Sequence, residues 1–349
     1  MEVAGLLFLS SGLYMGWSLG ANDAANIFGA AVGTRMIPFR SAAVICAIFI
    51  TLGAVISGAG AAEGLSRLGA VNSLAGAFVV SGAAATTVMW MTRVGLPVST
   101  TQAIVGAIVG WNLYSGNPTD STALSRIVST WVYGPLLGAG IAFILFFLMR
   151  ALLSRVKIHL ITLDKYTRFA MIIAGAFGAY SLGANNMANV VGVFVPASPF
   201  RDFTVMGLTL TGIQQLFLVG GLATAVGVAT YSKKVMMTIG ANLYKLSPIT
   251  AIVVIVSTAT VLFLFASEGL KLWLDSRGLP SFPLVPVSQS QAAVGSVIGI
   301  SLAKGGRNLN LVLLRNIVIG WVITPAAAAL LCYVALFFMQ NVFMQTVYQ

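Results

Sequence analysis

The chain has 349 residues, 58% of them hydrophobic and only 8% charged, with a mean hydropathy of +0.96. Soluble domains carry about 25% charged residues, so water is excluded as the main solvent. A net charge of +11 would suggest nucleic acid in a soluble chain, but the basic residues stand singly or in small groups between apolar segments, which is the pattern of membrane topology.

In chain order, apolar stretches near 1–34, 41–61, 70–92, 97–114 and 126–149 precede a second set near 169–196, 205–231, 248–270, 283–303 and 316–339. A bilayer-spanning helix needs roughly 17–25 such residues. The predicted class is an all-α polytopic membrane protein with about ten or more segments, some interrupted or re-entrant. The first stretch resembles a signal peptide only in being apolar: it has no basic n-region, and its earliest charge is Glu2.

Neither terminus has Lys or Arg near its end, so both are placed outside. The inside then collects fourteen basic residues: Arg35, Arg40, Arg93, Arg150, Arg155, Lys157, Lys165, Arg168, Lys233, Lys234, Lys245, Lys304, Arg307 and Arg315. The outside keeps five, Arg67, Arg126, Arg201, Lys271 and Arg277. That bias orients the chain in a cytoplasmic membrane, plasma or inner. Arg150 to Arg168 contains five basic residues and one acid, Asp164. Residues 151–168 therefore read as a cytoplasmic linker between a first half, 1–150, and a second, 169–349. Five crossings per half would make the second run opposite to the first.

The halves repeat. Residues 18–29 read SLGANDAANIFG and 181–192 read SLGANNMANVVG, eight of twelve identical at an offset of 163. Residues 97–110, PVSTTQAIVGAIVG, and 286–299, PVSQSQAAVGSVIG, share eight of fourteen at an offset of 189. Trp131-Val-x-x-Pro135 is echoed by Trp321-Val-x-x-Pro325. Three echoes in one order indicate duplication, and duplication with odd crossing number gives inverted repeats. Transporters of that kind bind substrate near the midplane on interrupted helices.

The motifs suit such a site. Gly20 and Gly183 permit a helix break, and Pro97 and Pro286 favour a helix start. Small residues alone read as helix packing, as in Gly16-x-x-x-Gly20, but packing does not explain Asn22-Asp23 with Asn26, or Asn185-Asn186 with Asn189. Asp23 is the only one of the eight acids inside an apolar segment, where an ionisable group is costly unless paired or functional. No Lys or Arg lies in the motif windows, so its natural partner is a cation, a proton or a protonated ligand. Cys46 and Cys332 show no disulfide or metal spacing. His159 sits in the basic linker and reads as a solvated loop residue.

GANDAAN with GANNMAN, and PVSTT with PVSQS, resemble the signature motifs of the inorganic phosphate transporter (PiT) family, over nearly the whole chain. The resemblance implies two inverted repeats, external termini and phosphate uptake coupled to sodium or protons; one branch is known for sulfate. It also implies an anion between the Asn/Asp and Ser/Thr segments. That implicates Asn22, Asp23, Asn26, Ser99, Thr100 and Thr101, with Asn185, Asn186, Asn189, Ser288, Gln289 and Ser290 from the second half. Asp23 would be the coupling group, and no metal is implied beyond sodium.

The second half departs from the family pattern. Asn186 stands where an acid is usual, Gln289 and Ser290 replace two threonines, and Gln102 and Gln291 stand where histidines are common. Phosphate near neutral pH still carries a proton that a carboxylate can accept, whereas sulfate has none to offer. The expected function is a phosphate symporter, with a sulfate permease of the same family as the alternative. An intramembrane enzyme lacks a nucleophile with a base or metal set. A passive anion channel would show no dependence on an ion gradient, and ATP-driven transport would need a partner chain. Expected partners are a small oxyanion and membrane lipids, without nucleic acid; a homodimer is left open.

Overall fold

The computed structural model describes residues 3–69, 71–94, 98–155, 158–205, 208–233, 235–236, 246–306 and 309–349. Pro97, Lys157, Lys234, Lys245 and Arg307 lie outside the described residues. The first half contains α1 (Val3–Gly33), α2 (Phe39–Ser57), α3 (Ala59–Ser66), α4 (Leu74–Arg93), α5 (Thr100–Ser115) and α6 (Ser121–Arg155). The second contains α7 (Leu160–Val191), α8 (Gly212–Thr230), α9 (Pro248–Leu264), α10 (Glu268–Ser276), α11 (Gln289–Ala303) and α12 (Leu311–Asn341).

The chain is mostly helical, with one departure from the all-α expectation among the described residues. An antiparallel hairpin of β1 (Phe203–Val205) and β2 (Leu208–Leu210) precedes α8, its Thr204 and Thr209 hydroxyls 3.0 Å apart. Alternating threonine and bulky apolar residues suit a pleated ribbon better than a helix. The apolar stretch expected from 205 therefore becomes helical only at Gly212. The linker also differs from a loop. α6 extends to Arg155 and α7 begins at Leu160, with exposed His159 as its N-cap, accepting from the Ile161 N–H at 3.4 Å.

Among the described residues, five helices (α2, α4, α6, α8 and α12) are long and apolar enough to cross a membrane, and α9 with α10, bent by 66°, would make a sixth. The stretches expected at 97–114 and 283–303 hold helices of only 16 and 15 residues. At 1.5 Å per residue these reach about 24 Å and 22 Å, short of a hydrocarbon core of about 30 Å. Each is entered through extended backbone. Pro286 lies in that backbone and does not start its helix, because Ser288 has taken the cap.

The break expected at Gly20 and Gly183 is absent: α1 and α7 run through both. These glycines serve close approach. A Cβ on Gly20 would strike the Thr224 carbonyl of α8, and one on Gly183 the Ile50 carbonyl of α2. From the other side, Gly227 of α8 faces the Trp17 carbonyl and Gly53 of α2 the Tyr180 carbonyl. Helices in lipid gain little from hydrophobic association, so backbone proximity and dispersion must hold them. The packing reading of Gly16 holds too, since it lies against Gly220 and Ala223 of α8.

The same exchange recurs at the third echo. Pro325 in α12 lies against Gly106 of α5, and Pro135 in α6 lies against Gly295 of α11. Thus α1 packs on α8 and α2 on α7, while α5 packs on α12 and α6 on α11. Each half supplies the helix that covers its counterpart. Outside this assembly, Leu136, Ile144 and Leu148 of α6 and Val322, Leu330 and Phe337 of α12 are exposed, an apolar surface suited to lipid.

Gly20→Ala and Gly183→Ala should each destabilise the protein by about 1–3 kcal/mol through overpacking. Gly140→Ala, where an added Cβ meets nothing within 4 Å, should be neutral or slightly stabilising. Melting temperatures of the detergent-purified variants compare the three.

Candidate functional site

The two short helices are started by the serines of the repeated motif. Ser99 Oγ accepts from the Gln102 N–H at 3.1 Å, and Ser288 Oγ accepts from the Gln291 N–H at 3.3 Å. A serine in extended backbone is a favoured N-cap because it satisfies a donor that the first turn leaves free. The extended segments before these caps still expose peptide groups inside the protein. Asparagines on α1 and α7 bond to them. Asn22 Nδ2 donates to the Val98 carbonyl at 3.1 Å. Asn185 Nδ2 donates to the Val285 carbonyl at 3.1 Å, and its Oδ1 accepts from the Val287 N–H at 2.6 Å. Both asparagines are buried.

Asp23 lies at the centre of the first-half cluster, 1% exposed. Its Oδ1 accepts from Asn22 Nδ2 at 2.8 Å and its Oδ2 from Thr100 Oγ1 at 3.0 Å. Both donors are neutral. A carboxylate offers about four lone-pair positions, so two bonds leave capacity for a cation or a proton. The halves also join here. Ser290 Oγ donates to the Val98 carbonyl at 2.7 Å, and Asn189 Nδ2 donates to Thr101 Oγ1 at 2.9 Å. Asn22, Asp23, Ser99, Thr100, Thr101, Asn185, Asn189, Ser288 and Ser290 are therefore held in one buried region by direct side-chain bonds or caps.

The remaining expected residues are differently placed. Asn186, fully buried, has neither Nδ2 nor Oδ1 bonded. Gln289 is 2% exposed with Oε1 unpartnered, and half-buried Asn26 has Nδ2 unpartnered. By the repeat offsets, Asn186 is the counterpart of Asp23 and Gln289 of Thr100. The bonded acid–hydroxyl pair of one half is thus matched by two unbonded amides in the other. An unsatisfied buried polar group costs about 1–3 kcal/mol, so this excess of orphan donors and acceptors is informative. Gln102 Oε1, Gln291 Oε1 and Asn189 Oδ1 add to it. An oxyanion could accept from the amide N–H groups, and a cation could take the free oxygens.

Some contributors were not among the residues picked from sequence. The Val98 carbonyl receives both Asn22 and Ser290, and as a backbone group it has no side-chain signature. Gln102 and Gln291 had a signal, their repeated position one residue after each hydroxyl triplet. Thr92 reaches Asn22 Oδ1 only at 3.5 Å.

A Phosphate transporter family model matches residues 19–332 of the chain. The chain is 28% identical to a candidate phosphate permease of Pyrococcus abyssi, over 93% of this chain and 95% of that one. It is also 28% identical to the sulfate permease CysP of Bacillus subtilis, over 95% and 86%. Among solved structures it resembles a sodium-dependent phosphate transporter, with a TM-score of 0.74, 26% identity, and coverage of 95% and 99%.

Asn185→Ala should remove both anchors of the 285–287 backbone. The expected cost is about 1–3 kcal/mol, with faster hydrogen exchange at the Val287 amide; unchanged exchange there would mean the segment is held by other contacts.

Proposed function

The chain belongs to the phosphate transporter family, and from that premise we propose that it is a secondary symporter taking up inorganic phosphate across the cytoplasmic membrane, coupled to sodium or protons. The observation that carries this reading is Asp23: a buried carboxylate whose partners among the described residues are Asn22 and Thr100, in the region where both repeated motifs meet. Charge at membrane depth is costly and marks ion or proton pathways. A sodium ion or proton at Asp23 offsets its charge. The substrate anion then lies among donors from Asn26, Asn186, Asn189, Ser99, Thr101, Ser288 and Gln289, with Ser290 committed to the Val98 carbonyl, beside the N-termini of α5 and α11, whose dipoles favour negative charge.

The halves act as inverted repeats of about five membrane segments each, with both termini outside and residues 151–168 inside. The reciprocal packing of α1, α2, α5 and α6 against α8, α7, α12 and α11 supports that arrangement, as does the charge bias. Every expected site residue except Asn26 is nearly inaccessible to solvent, so the site is closed in this conformation. Loading and release then require one set of helices to move against the other, as alternating access demands. The proposed unit of motion is the pair of short capped helices with their extended leaders.

Sulfate is the second reading. It is favoured by the Asn186–Gln289 half, where two neutral amides replace the acid–hydroxyl pair, and by the similarity to CysP. Phosphate remains the first reading because Asp23 is retained and can accept the proton that hydrogen phosphate carries.

Labelled phosphate and sulfate uptake into proteoliposomes separates these readings. Saturable phosphate uptake dependent on a sodium or proton gradient is expected, and saturable sulfate uptake that phosphate does not compete with would sink the phosphate reading. Asp23→Asn should abolish or uncouple transport while the protein stays folded; unchanged cation and pH dependence would show that Asp23 is not the coupling group. Asn186→Asp adds a negative charge without a partner and should lower the sulfate-to-phosphate uptake ratio at least about ten-fold, equivalent to about 1.4 kcal/mol.

A further inference from the structure

Only five basic residues fall on the side assigned as external, and three of them, Arg67, Arg126 and Lys271, line one cavity of about 100 Å³. They come from three separate elements: the end of α3, the first turns of α6, and α10. Glu63 also lines the cavity and pairs with Arg67 across one helical turn. Glu268 lies close to Gly60 on the same rim. Counting Glu63 and Glu268 against Arg67, Arg126 and Lys271, the local balance is cationic by one charge, and neither Arg126 nor Lys271 is in an ion pair with a described residue. Arg126 is exposed and Lys271 half-buried, so one group is open to solvent and the other is partly sheltered.

The wall of this cavity ties it to the central site. Pro283, Leu284 and Val285 line it, and the Val285 carbonyl is the one that Asn185 holds. Three residues further on, Ser288 caps α11. At about 3.3 Å per extended residue the cavity wall and that cap are within about 10 Å along the chain. The wall is also pressed tightly from outside. A Cβ on Gly64 of α3 would strike the Leu284 carbonyl, so α3 and the extended leader are in backbone contact.

We propose that this cavity is an external docking site for a tetrahedral oxyanion, which it captures through Arg126, Lys271 and Arg67 before the anion passes to the buried amides and hydroxyls. The proposal rests on the oxyanion reading above and adds a second, weaker site to it. The central site has no basic side chain among its motif residues and is closed in this conformation, so it has little long-range attraction of its own. Converging cations at a concave mouth concentrate anions and raise the encounter rate. That attraction is screened over about 8 Å at physiological ionic strength, so the docking step must be salt-sensitive. The central hydrogen bonds are buried and should be much less so. A phospholipid headgroup presents the same phosphate chemistry to the same cations, and the lipid composition of the experiment has to distinguish it.

The test uses the full-length protein, the double variant Arg126→Gln/Lys271→Gln, the Asp23→Asn variant and, as a control, Arg201→Gln, whose charge is external but outside this cavity. Equilibrium binding of labelled phosphate and sulfate is measured at low and physiological ionic strength, in nanodiscs of zwitterionic lipid and in nanodiscs containing phosphatidylglycerol. The parent, Asp23→Asn and Arg201→Gln proteins should share a weak, salt-sensitive class of site that the double variant lacks. In uptake assays at low salt the double variant should show a KM raised about ten-fold with a smaller change in maximal rate, converging on the parent as salt rises. Salt-sensitive binding in the double variant equal to that of the parent overturns the docking site. Binding abolished by phosphatidylglycerol assigns the cavity to a lipid headgroup and likewise overturns it. Failure of the central reading appears separately, as unaltered coupling in Asp23→Asn, because the binding measurement does not depend on transport.

Discussion

Backbone peptide groups at membrane depth have no water to bond to, and the architecture around the motifs follows from that constraint. Two helices begin inside the protein, so the described residues that precede them, 98–99 and 283–288, carry N–H and C=O groups that no ladder satisfies. Asn22 and Asn185 act as the missing partners, and Ser99 and Ser288 close the first turns. An asparagine suits this task because its amide can donate and accept at once, as Asn185 does between Val285 and Val287. The polarity of the motif is therefore in part structural. What is left over, once those bonds are counted, is the chemistry available to a substrate.

That remainder is unequal between the halves. Asp23 and Thr100 bond to one another, while their counterparts Asn186 and Gln289 keep unpartnered amide atoms. The backbone framework obeys the repeat closely: glycine meets carbonyl at Gly20 and Gly183, and proline meets glycine at Pro135 and Pro325. Packing under close approach tolerates almost no change at such positions, since an added methyl would strike backbone. Side chains facing the space between the motifs are free of that restriction. On the proposed reading, such a scaffold keeps its geometry while its two halves divide the work, one holding a carboxylate for the coupling ion and the other offering neutral donors to the anion.

The 26 residues by which the second half exceeds the first between its motifs have identifiable destinations. The hairpin and its flanks lengthen the offset to 173 by the start of α8 (Gly212 against Phe39). The rest lies near α10 and the extended leader of α11. This second addition brings Lys271 to the cavity that Arg67 and Arg126 also line. The asymmetry of the buried chemistry thus has a parallel at the proposed external mouth.

From the sequence alone the membrane class, nearly all the helical stretches and the family were legible, because hydropathy and motif identity are local properties of the chain. The cluster of Asn22, Asp23, Ser99 and Thr100 with Asn185, Asn189, Ser288 and Ser290 was legible for the same reason. The glycines were misread as breaks, since a glycine that opens a helix and one that lets two helices touch are identical in sequence; only the position of Thr224 and Ile50 opposite them decides. The start of α11 was set by the Ser288 cap and not by Pro286, a competition resolved by the bonds the backbone makes. The role of the Val98 carbonyl, the pairing of Asp23 with Thr100 and the orphaned state of Asn186 depend on which groups meet across the chain, 76 to 192 residues apart for the bonds made at Val98 and Asp23. Those meetings are long-range, and tertiary structure alone decides them.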